Sequence, residues 1–299
     1  MAHIEVSSMH VRRFWSLVVL SLAATSLPAA KGSNDGGQGQ DRKSRIGFEL
    51  YQDYLIVVRG SVGPLKDLNF LLDTGATPSV LDPRVKEKLH LTTAPMDIAV
   101  LKGTVKGETA TVPSLQFGPI RKDNVAVLIQ DLSFLQRGLP VRLDGIVGLD
   151  VLGQSTFVID YKSHEIGFGF PSSMSDSIPF HIREGLAIVD AFVNQAQVHL
   201  LVDTGASSMI LFEEMRDPAS DSKAHEESPK VIGEFERKQK RSITLRLGKT
   251  KFDHEVAYVV QNRRDAGHNF DGLMSPIALG ITRVAVDLSQ GTLAFTRKP

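Results

Sequence analysis

One tetrapeptide, Asp-Thr-Gly-Ala, occurs twice in this 299-residue chain, at residues 73–76 and again at residues 203–206. Each copy follows a short apolar run, and each is followed by a hydroxyl residue, Thr77 or Ser207, and then a second apolar pair. At average residue usage a given tetrapeptide would occur about 0.005 times in a chain of this length. The two copies therefore indicate a repeat within the chain and not chance composition.

Three further landmarks follow the tetrapeptide in both halves of the chain, in the same order. The landmarks are Asp73, Asp144, Asp160 and Phe168 in the first half, and Asp203, Asp271, Asp287 and Phe295 in the second. The first spacing is 71 residues in one half and 68 in the other, and the later spacings of 16 and 8 residues are identical. Tandem duplication of a unit of roughly 125 residues, a common domain size, explains this pattern. We expect a boundary in the linker-like residues 171–177, which gives homologous lobes at residues 46–175 and 176–299.

In both halves, short apolar runs alternate with turn residues, and this pattern predicts a mostly β protein. In the first half, runs rich in Val, Ile, Phe and Tyr are separated by Gly, Pro, Asp and Asn, which favours short strands joined by turns. The predicted strands are residues 46–51, 54–59, 68–73, 98–101, 109–112, 124–129, 157–161 and 165–170. Only one helix is expected there, at residues 83–89, with Asp82 as its N-cap. Dense strands with few helices predict a β barrel or sandwich and not alternating β and α elements.

The N-terminus has the pattern of an export signal. Arg12 and Arg13 precede an apolar stretch of 14 residues, and small residues follow it. We expect residues 1–30 to be a signal peptide and the polar, Gly-rich residues 31–45 to be a disordered linker. An uncleaved membrane anchor is the alternative. The protein is thus expected to be exported, to the periplasm or beyond the cell, and without cysteine it must be stabilised by its core alone.

Composition and motifs disfavour several other functions. The 34 basic residues balance 34 acidic residues, so no net positive field favours nucleic acid. The charged residues 213–241 mix both signs and predict a solvated insertion or a mobile surface loop. The nine histidines are scattered without metal-binding spacing, so we expect no metal and no other cofactor.

The repeated motif has the residue types that acid–base hydrolysis requires. A strand that ends in Asp-Thr-Gly places a carboxylate at a turn, and the glycine permits a close approach of another chain segment. In a duplicated fold, an approximate two-fold axis would bring Asp73 and Asp203 face to face. Two carboxyls at hydrogen-bonding distance share one proton, since both cannot ionise cheaply. Such a pair can take a proton from water while it donates one to a carbonyl oxygen. By contrast, we expect Asp144, Asp160, Asp271 and Asp287 to have structural roles in turns.

The two motifs, together with Ile146-Val147-Gly148, resemble the signature of the pepsin/retropepsin clan of aspartic peptidases. The resemblance extends from about residue 46 to residue 295, and the continuation at residues 148–152 is similar to retroviral-like proteases, including the DNA-damage-inducible type. It implies the bilobal acid-protease fold, in which two homologous β-barrel lobes enclose a cleft. It implies that Asp73 and Asp203 are catalytic. It also implies that the rest of each motif supports the active-site loops, with Thr74 and Thr204 locking the two loops to each other. These supporting residues are Thr74, Gly75, Ala76, Thr204, Gly205 and Ala206.

Three departures from the clan pattern matter for activity. Both motifs have alanine after the glycine, where pepsins carry Ser or Thr, so the hydrogen bond to the outer carboxylate oxygen is expected to be missing and the pH optimum less acidic than that of a stomach enzyme. Ser275 stands where the clan has glycine, so the second loop either tolerates the serine or is distorted by it. No tyrosine occupies the flap segment. The Gly-punctuated residues 101–108 are either a mobile flap or an ordinary surface hairpin.

The sequence therefore predicts an exported aspartic endopeptidase that acts on polypeptides as a monomer, because both half-sites lie in one chain. The alternative is a catalytically silent pepsin-fold protein of the cell envelope that binds peptides, which Ser275 and the missing flap tyrosine favour. A third possibility is an enzyme that acts on one dedicated protein partner.

Overall fold

The computed structural model describes residues 19–20, 45–100, 103–136, 139–169, 174, 176–212, 238–260 and 270–298. Strands make up 62% of these residues, which confirms the mostly β class. The predicted signal peptide and linker lie outside the described residues, apart from Val19–Leu20 and Arg45. Within the described residues, no helix is long and apolar enough to cross a membrane.

The first half of the described chain contributes twelve strands and two short helices. They are β1 Val19–Leu20, β2 Arg45–Gly47, β3 Glu49–Tyr51, β4 Leu55–Val62, β5 Leu65–Leu72, β6 Val80–Leu81, α1 Pro83–Lys88, β7 Thr93–Val100, β8 Gly103–Phe117, β9 Ile120–Ile129, β10 Gly145–Val147, α2 Leu149–Leu152, β11 Phe157–Asp160 and β12 Glu165–Phe168. A 3-10 turn at Ser133–Leu135 lies between β9 and β10.

The second half contributes nine described strands. They are β13 Asp176–Arg183, β14 Leu186–Val193, β15 Ala196–Val202, β16 Met209–Phe212, β17 Lys238–Leu247, β18 Thr250–Val260, β19 Gly272–Met274, β20 Ile281–Asp287 and β21 Thr292–Arg297. A 3-10 turn, Ile277–Leu279, separates β19 from β20. Most of the charged insertion lies outside the described residues, but its last four residues, 238–241, begin β17 and pair with β18, so that end of the insertion was wrongly predicted to be loop.

Six strands of the first half close into a barrel. Following the hydrogen bonds around it, the order is β4, β5, β10, β6, β9 and β8, and β8 returns to β4. The pairs β5–β10 and β6–β9 are parallel, and the other pairs are antiparallel. Alternate Val, Leu, Ile and Phe side chains of these strands are fully buried, so the barrel interior is an apolar core.

Six strands of the second half repeat these pairings in the same order. The ring runs β14, β15, β19, β16, β18 and β17, and β17 returns to β14. Here too the second and fourth pairs, β15–β19 and β16–β18, are parallel. The agreement, pair by pair, is what tandem duplication of one unit predicts.

An antiparallel sheet joins strands from the two halves. Its order is β2, β12, β11, β20, β21 and β13, so its central pair takes β11 from one half and β20 from the other. Val158 pairs with Ala285, and these two residues are themselves equivalent positions of the repeat, 127 residues apart. The neighbouring pairs follow the same symmetry. Phe157 pairs with Val286, the equivalent of Ile159, and Ile159 pairs with Val284, the equivalent of Phe157. The register therefore places a local two-fold axis between Val158 and Ala285.

The predicted helix forms, and the structure adds short elements that the sequence did not predict. The Asp82 carboxylate accepts a hydrogen bond from Arg84 N at 3.1 Å and caps α1, with Pro83 at the helix start. The expectation of one helix in this half was wrong, because α2 forms as a second helix of four residues. Strands β6 and β10, of two and three residues, were also missed.

The flap candidate is part of a long hairpin. Strands β7 and β8 pair from Thr93–Ala110 to Val100–Gly103, and residues 101–102 between them lie outside the described part. Residues 103–108, which were predicted as the flap together with residues 101 and 102, form the start of β8. The outer edge of β7 pairs with β1.

Candidate active site

Each Asp-Thr-Gly-Ala motif directly follows an apolar strand that is held in place by a parallel neighbour. Strand β5 ends at Leu72, and Asp73 N donates to Val147 O of β10 at 3.0 Å. In the second half β15 ends at Val202, and Asp203 N donates to Met274 O of β19 at the same 3.0 Å. The barrels thus fix both aspartates by the same main-chain bonds.

The turns orient the two carboxyl groups identically. Gly75 N donates to Asp73 Oδ1 at 2.8 Å, and Gly205 N donates to Asp203 Oδ1 at 2.8 Å. Both aspartates are fully buried. A carboxyl oxygen held by the main chain of its own turn cannot rotate away, so the second oxygen of each group has a fixed direction.

Reciprocal hydrogen bonds of the two threonines tie the turns to each other. Thr74 N donates to Thr204 Oγ1 at 3.0 Å, and Thr204 N donates to Thr74 Oγ1 at 3.1 Å. Each hydroxyl in turn donates to the strand before the opposite motif, to Val202 O at 2.7 Å and to Leu72 O at 3.2 Å. We call these four bonds the threonine lock. It is the arrangement that the sequence resemblance implied for Thr74 and Thr204.

The glycines allow the two aspartates to approach each other. A Cβ atom added at Gly75 would lie 2.8 Å from Cγ of Asp203, and one added at Gly205 would lie 2.6 Å from Cγ of Asp73. Neither distance is tolerable for a carbon atom, so each motif requires glycine because the carboxyl of the other motif lies against it. Ala76 and Ala206 are both buried behind the turns.

Burial and the neighbouring carboxyl change the acidity of this pair. The pKa of Asp73 is raised well above its usual range, first by loss of solvent and then by the negative charge of Asp203. The hydrogen bonds from Gly75 N and Gly205 N act in the opposite direction on that pKa but do not cancel the rise. The Asp73 Oδ2 atom has no hydrogen-bond partner among the described protein groups. The arrangement favours a pair of carboxyls that share one proton.

Of the two alternatives that the sequence left open for Ser275, the structure favours tolerance, because the serine is hydrogen-bonded within the second loop. In the first half, Leu149 N donates to Ala76 O at 3.1 Å behind the turn. The equivalent of Leu149 is Pro276, which has no N–H. The Ser275 hydroxyl takes over this role and donates to Ala206 O at 2.6 Å. The serine therefore compensates for the proline that follows it.

In the first half the position equivalent to Ser275 is Gly148, and a different set of polar groups supports the loop there. A Cβ at Gly148 would lie 2.3 Å from Ala76 O, so this position excludes any side chain. Gly148 N donates to Ser79 Oγ at 3.0 Å, and that hydroxyl donates to Asp150 Oδ1 at 2.7 Å. Burial raises the pKa of Asp150, while the bond from Ser79 and the charge of Lys122 lower it. Sequence reasoning missed Ser79 and Asp150, although their place inside the matched motifs was the available signal.

The four aspartates that were predicted to be structural all accept main-chain hydrogen bonds, although Asp144 and Asp271 accept them from strands β5 and β15 and not from turns. Asn69 N donates to Asp144 Oδ2 at 3.0 Å, and His199 N donates to the equivalent Asp271 Oδ2 at 2.7 Å. Asp160 and Asp287 accept main-chain N–H bonds from the turns that follow them. No cluster of His, Asp or Glu suited to a metal ion occurs among the residues that the structure describes.

The fold and these contacts define a class of protein, a mostly β protein in which two Asp-Thr-Gly turns contact each other. Residues 58–151 match the model of a family described as aspartyl protease. The match supports the retropepsin-like aspartic peptidase family and confirms the resemblance that the motifs indicated. It includes Asp73 and Gly148 and ends before the second motif. A search of curated proteins found no match to the chain.

Proposed function

We propose that this protein is an aspartic endopeptidase that hydrolyses peptide bonds with a water molecule activated between Asp73 and Asp203. The observation that carries the proposal is the threonine lock, because it holds two buried aspartate turns so closely that each glycine lies against the opposite carboxyl. The aspartyl protease family match supports the same class of activity.

The chemistry follows from one proton shared by two carboxyls. The ionised carboxyl takes a proton from the water as it attacks the peptide carbonyl carbon, and the protonated carboxyl donates its proton to the carbonyl oxygen. The C–N bond of the tetrahedral intermediate then breaks as one carboxyl gives its proton to the leaving nitrogen. The other carboxyl takes a hydroxyl proton from the intermediate, which becomes the product carboxylic acid, and the pair again shares one proton. No covalent bond to the enzyme forms and no cofactor is required.

The proposed enzyme is a monomer with two lobes, residues 46–175 and 176–299, and a cleft that binds an extended polypeptide by strand-like main-chain pairing. The duplicated barrel pairings and the two-fold register of the shared sheet support this arrangement. The hairpin of β7 and β8 is the element proposed to cover the substrate.

We also propose that the protein is exported, with residues 1–30 either removed as a signal peptide or retained as an anchor. N-terminal sequencing of the protein from the envelope and extracellular fractions tests this proposal. A new N-terminus near residue 30 would support cleavage, an intact N-terminus in the membrane fraction would support the anchor, and protein confined to the cytoplasm would contradict export.

The rival candidate is a silent peptide-binding protein of the envelope. The absence of tyrosine from β7 and β8 is the observation that favours it. The second feature in its favour, Ser275, is weakened by the hydrogen bond from its hydroxyl to Ala206 O.

An activity assay separates the two candidates. The mature protein is incubated with a denatured protein substrate from about pH 3 to about pH 7, with and without a statine-type inhibitor. We expect inhibitor-sensitive cleavage with a maximum clearly above about pH 2, because no hydrogen bond holds Asp73 Oδ2 in its ionised form. Asp73→Asn and Asp203→Asn should each lower kcat/KM by about 10²–10⁴-fold, since each removes one acid–base group.

Asp123→Asn is the matched control, because the Asp123 side chain is exposed and pairs with Arg121 at 2.8 Å on the surface; this variant should retain full activity. Failure of the wild-type protein to cleave across the pH range would favour the binding protein. Cleavage that survives Asp73→Asn would show that the two aspartates are not the acid–base pair.

A further inference from the structure

Asp150 is a partly buried carboxylate that the proposed mechanism does not use. Its Oδ1 atom accepts a hydrogen bond from the Ser79 hydroxyl at 2.7 Å, and the same hydroxyl oxygen accepts from Gly148 N at 3.0 Å. We call these two bonds through Ser79 Oγ the serine bridge. Lys122 of β9 holds the same segment from another side, since its ammonium group donates to Asp150 O at 2.8 Å.

The second half of the repeat carries apolar residues at the positions of the serine bridge. Met209 and Ile277 are the equivalents of Ser79 and Asp150. Met209 is fully buried, and Ile277 packs against the apolar core. The second half therefore closes the corresponding loop without a carboxylate.

Stability alone does not explain the carboxylate in the first half. Withdrawing a charged group from water costs free energy, and apolar residues of similar volume at such a place often give an equally stable or a more stable protein. Met209 and Ile277 show that this fold accepts the apolar solution. What a hydrogen-bonded charge adds is a single defined geometry for the groups that it contacts.

The segment that the serine bridge holds is bonded to both ends of the first motif. Asp73 N donates to Val147 O at 3.0 Å, and Leu149 N donates to Ala76 O at 3.1 Å. Gly148 lies between these two bonds, and a Cβ added there would lie 2.3 Å from Ala76 O. The segment and the motif are thus in direct contact, so a displacement of Gly148 would also displace the turn that carries Asp73.

We propose that Asp150 and Ser79 are positioning residues of the peptidase, which act through Gly148 to fix the turn that directs the Asp73 carboxyl at water and substrate. This inference rests on the proposed function. An error of about 1 Å in the place of a reacting group lowers the rate about 10²-fold. Loss of the bridge should therefore slow the chemical step and leave peptide binding in the cleft nearly unchanged.

The test uses Ser79→Ala, which removes one oxygen atom, and Asp150→Ala. We expect each variant to lower kcat for a peptide substrate about tenfold or more while KM stays within about twofold. The double variant should be no slower than the slower single variant, because both changes break the same bridge. Asp150→Asn should keep most of the wild-type kcat, since its amide oxygen still accepts from Ser79 Oγ.

Asp287→Ala is the matched control. Asp287 is also a buried carboxylate that accepts from a serine hydroxyl, Ser289 Oγ at 2.6 Å, but it lies in the turn after β20. This variant should lower the melting temperature and keep the wild-type kcat. All assays are run well below the melting temperature of each variant, and if Asp150→Ala does not fold, Ser79→Ala decides the question.

The outcomes separate this inference from the function on which it rests. If wild type cleaves and Ser79→Ala keeps the wild-type kcat, or if Asp287→Ala lowers kcat as much as Ser79→Ala does, the inference is wrong and the proposed function stands. An Asp150→Asn variant as slow as Asp150→Ala would also contradict the bridge. If wild type does not cleave, the proposed function is wrong and the inference falls with it.

Discussion

Asp73 brings together two effects that oppose its ionisation, complete burial and a second carboxyl at close range. Both raise its pKa above that of the unfolded chain, so the folded state binds the proton more tightly. Stability from this group is therefore present at low pH and is lost as the pH rises through the range between the unfolded and the folded pKa. At neutral pH the ionised Asp73 therefore lowers the free energy of unfolding.

We accordingly expect Asp73→Asn to be more stable than wild type at neutral pH, because the neutral amide keeps the shape without the charge. The gain should shrink as the pH falls through the range between the folded and the unfolded pKa, and it should be lost below the pKa of an unfolded aspartate, where both side chains are neutral. Melting temperatures of both proteins across a pH series measure this difference, with Asp123→Asn as the exposed control. A variant that is less stable than wild type at neutral pH would contradict the raised pKa.

In the loops behind the two motifs, different groups donate the hydrogen bond to the alanine carbonyl of the motif. Gly148 and Leu149 use a main-chain N–H to satisfy Ala76 O, whereas Ser275 and Pro276 use a side-chain hydroxyl to satisfy Ala206 O. A buried carbonyl that loses such a bond costs about 1–3 kcal/mol. We therefore expect Ser275→Ala to lower the free energy of unfolding by about that amount, measured by urea denaturation.

The double variant Ser275→Gly/Pro276→Leu is the matched control, since it copies the first half and restores an N–H donor for Ala206 O. It should recover most of the stability that the single change Ser275→Gly removes, giving a favourable coupling energy in a double-mutant cycle. Additive losses in that cycle would show that Ser275 and Pro276 do not compensate each other.

The same loops mark the limit of what sequence patterns predict at the level of elements. The apolar centres of several strands and α1 were predictable because of their apolar runs and the capping aspartate, and the repeat spacing located Asp144 and Asp271. The extent of the long strands was not, since the predicted strand 109–112 covers only four of the 15 residues of β8. Strands β6 and β10 were missed because two or three residues carry no periodicity and pair only when the barrel closes. The effect of Ser275 could not be decided from the sequence because its partner, Ala206 O, is 69 residues away along the chain.

At the scale of the whole molecule, the halves of the chain are joined at two places. One is the threonine lock between the motif turns. The other is the shared sheet, where β11 pairs with β20 about the local two-fold axis at Val158 and Ala285. A single apolar core also contains Phe157 and Ile159 of the first half together with residues of the second. Neither half can unfold without exposing part of the other.

We therefore expect one cooperative unfolding transition, with the calorimetric enthalpy equal to the van't Hoff enthalpy. Thr74→Val should lower the melting temperature, because Thr204 N and Val202 O lose their partner, yet it should keep a single transition since the shared sheet remains. Thr111→Val, on the exposed side of β8, is the control and should melt like wild type. Two separate transitions in the wild-type protein would contradict the coupling. They would show that the pairing of β11 with β20 stabilises the protein too little to make the two halves unfold cooperatively.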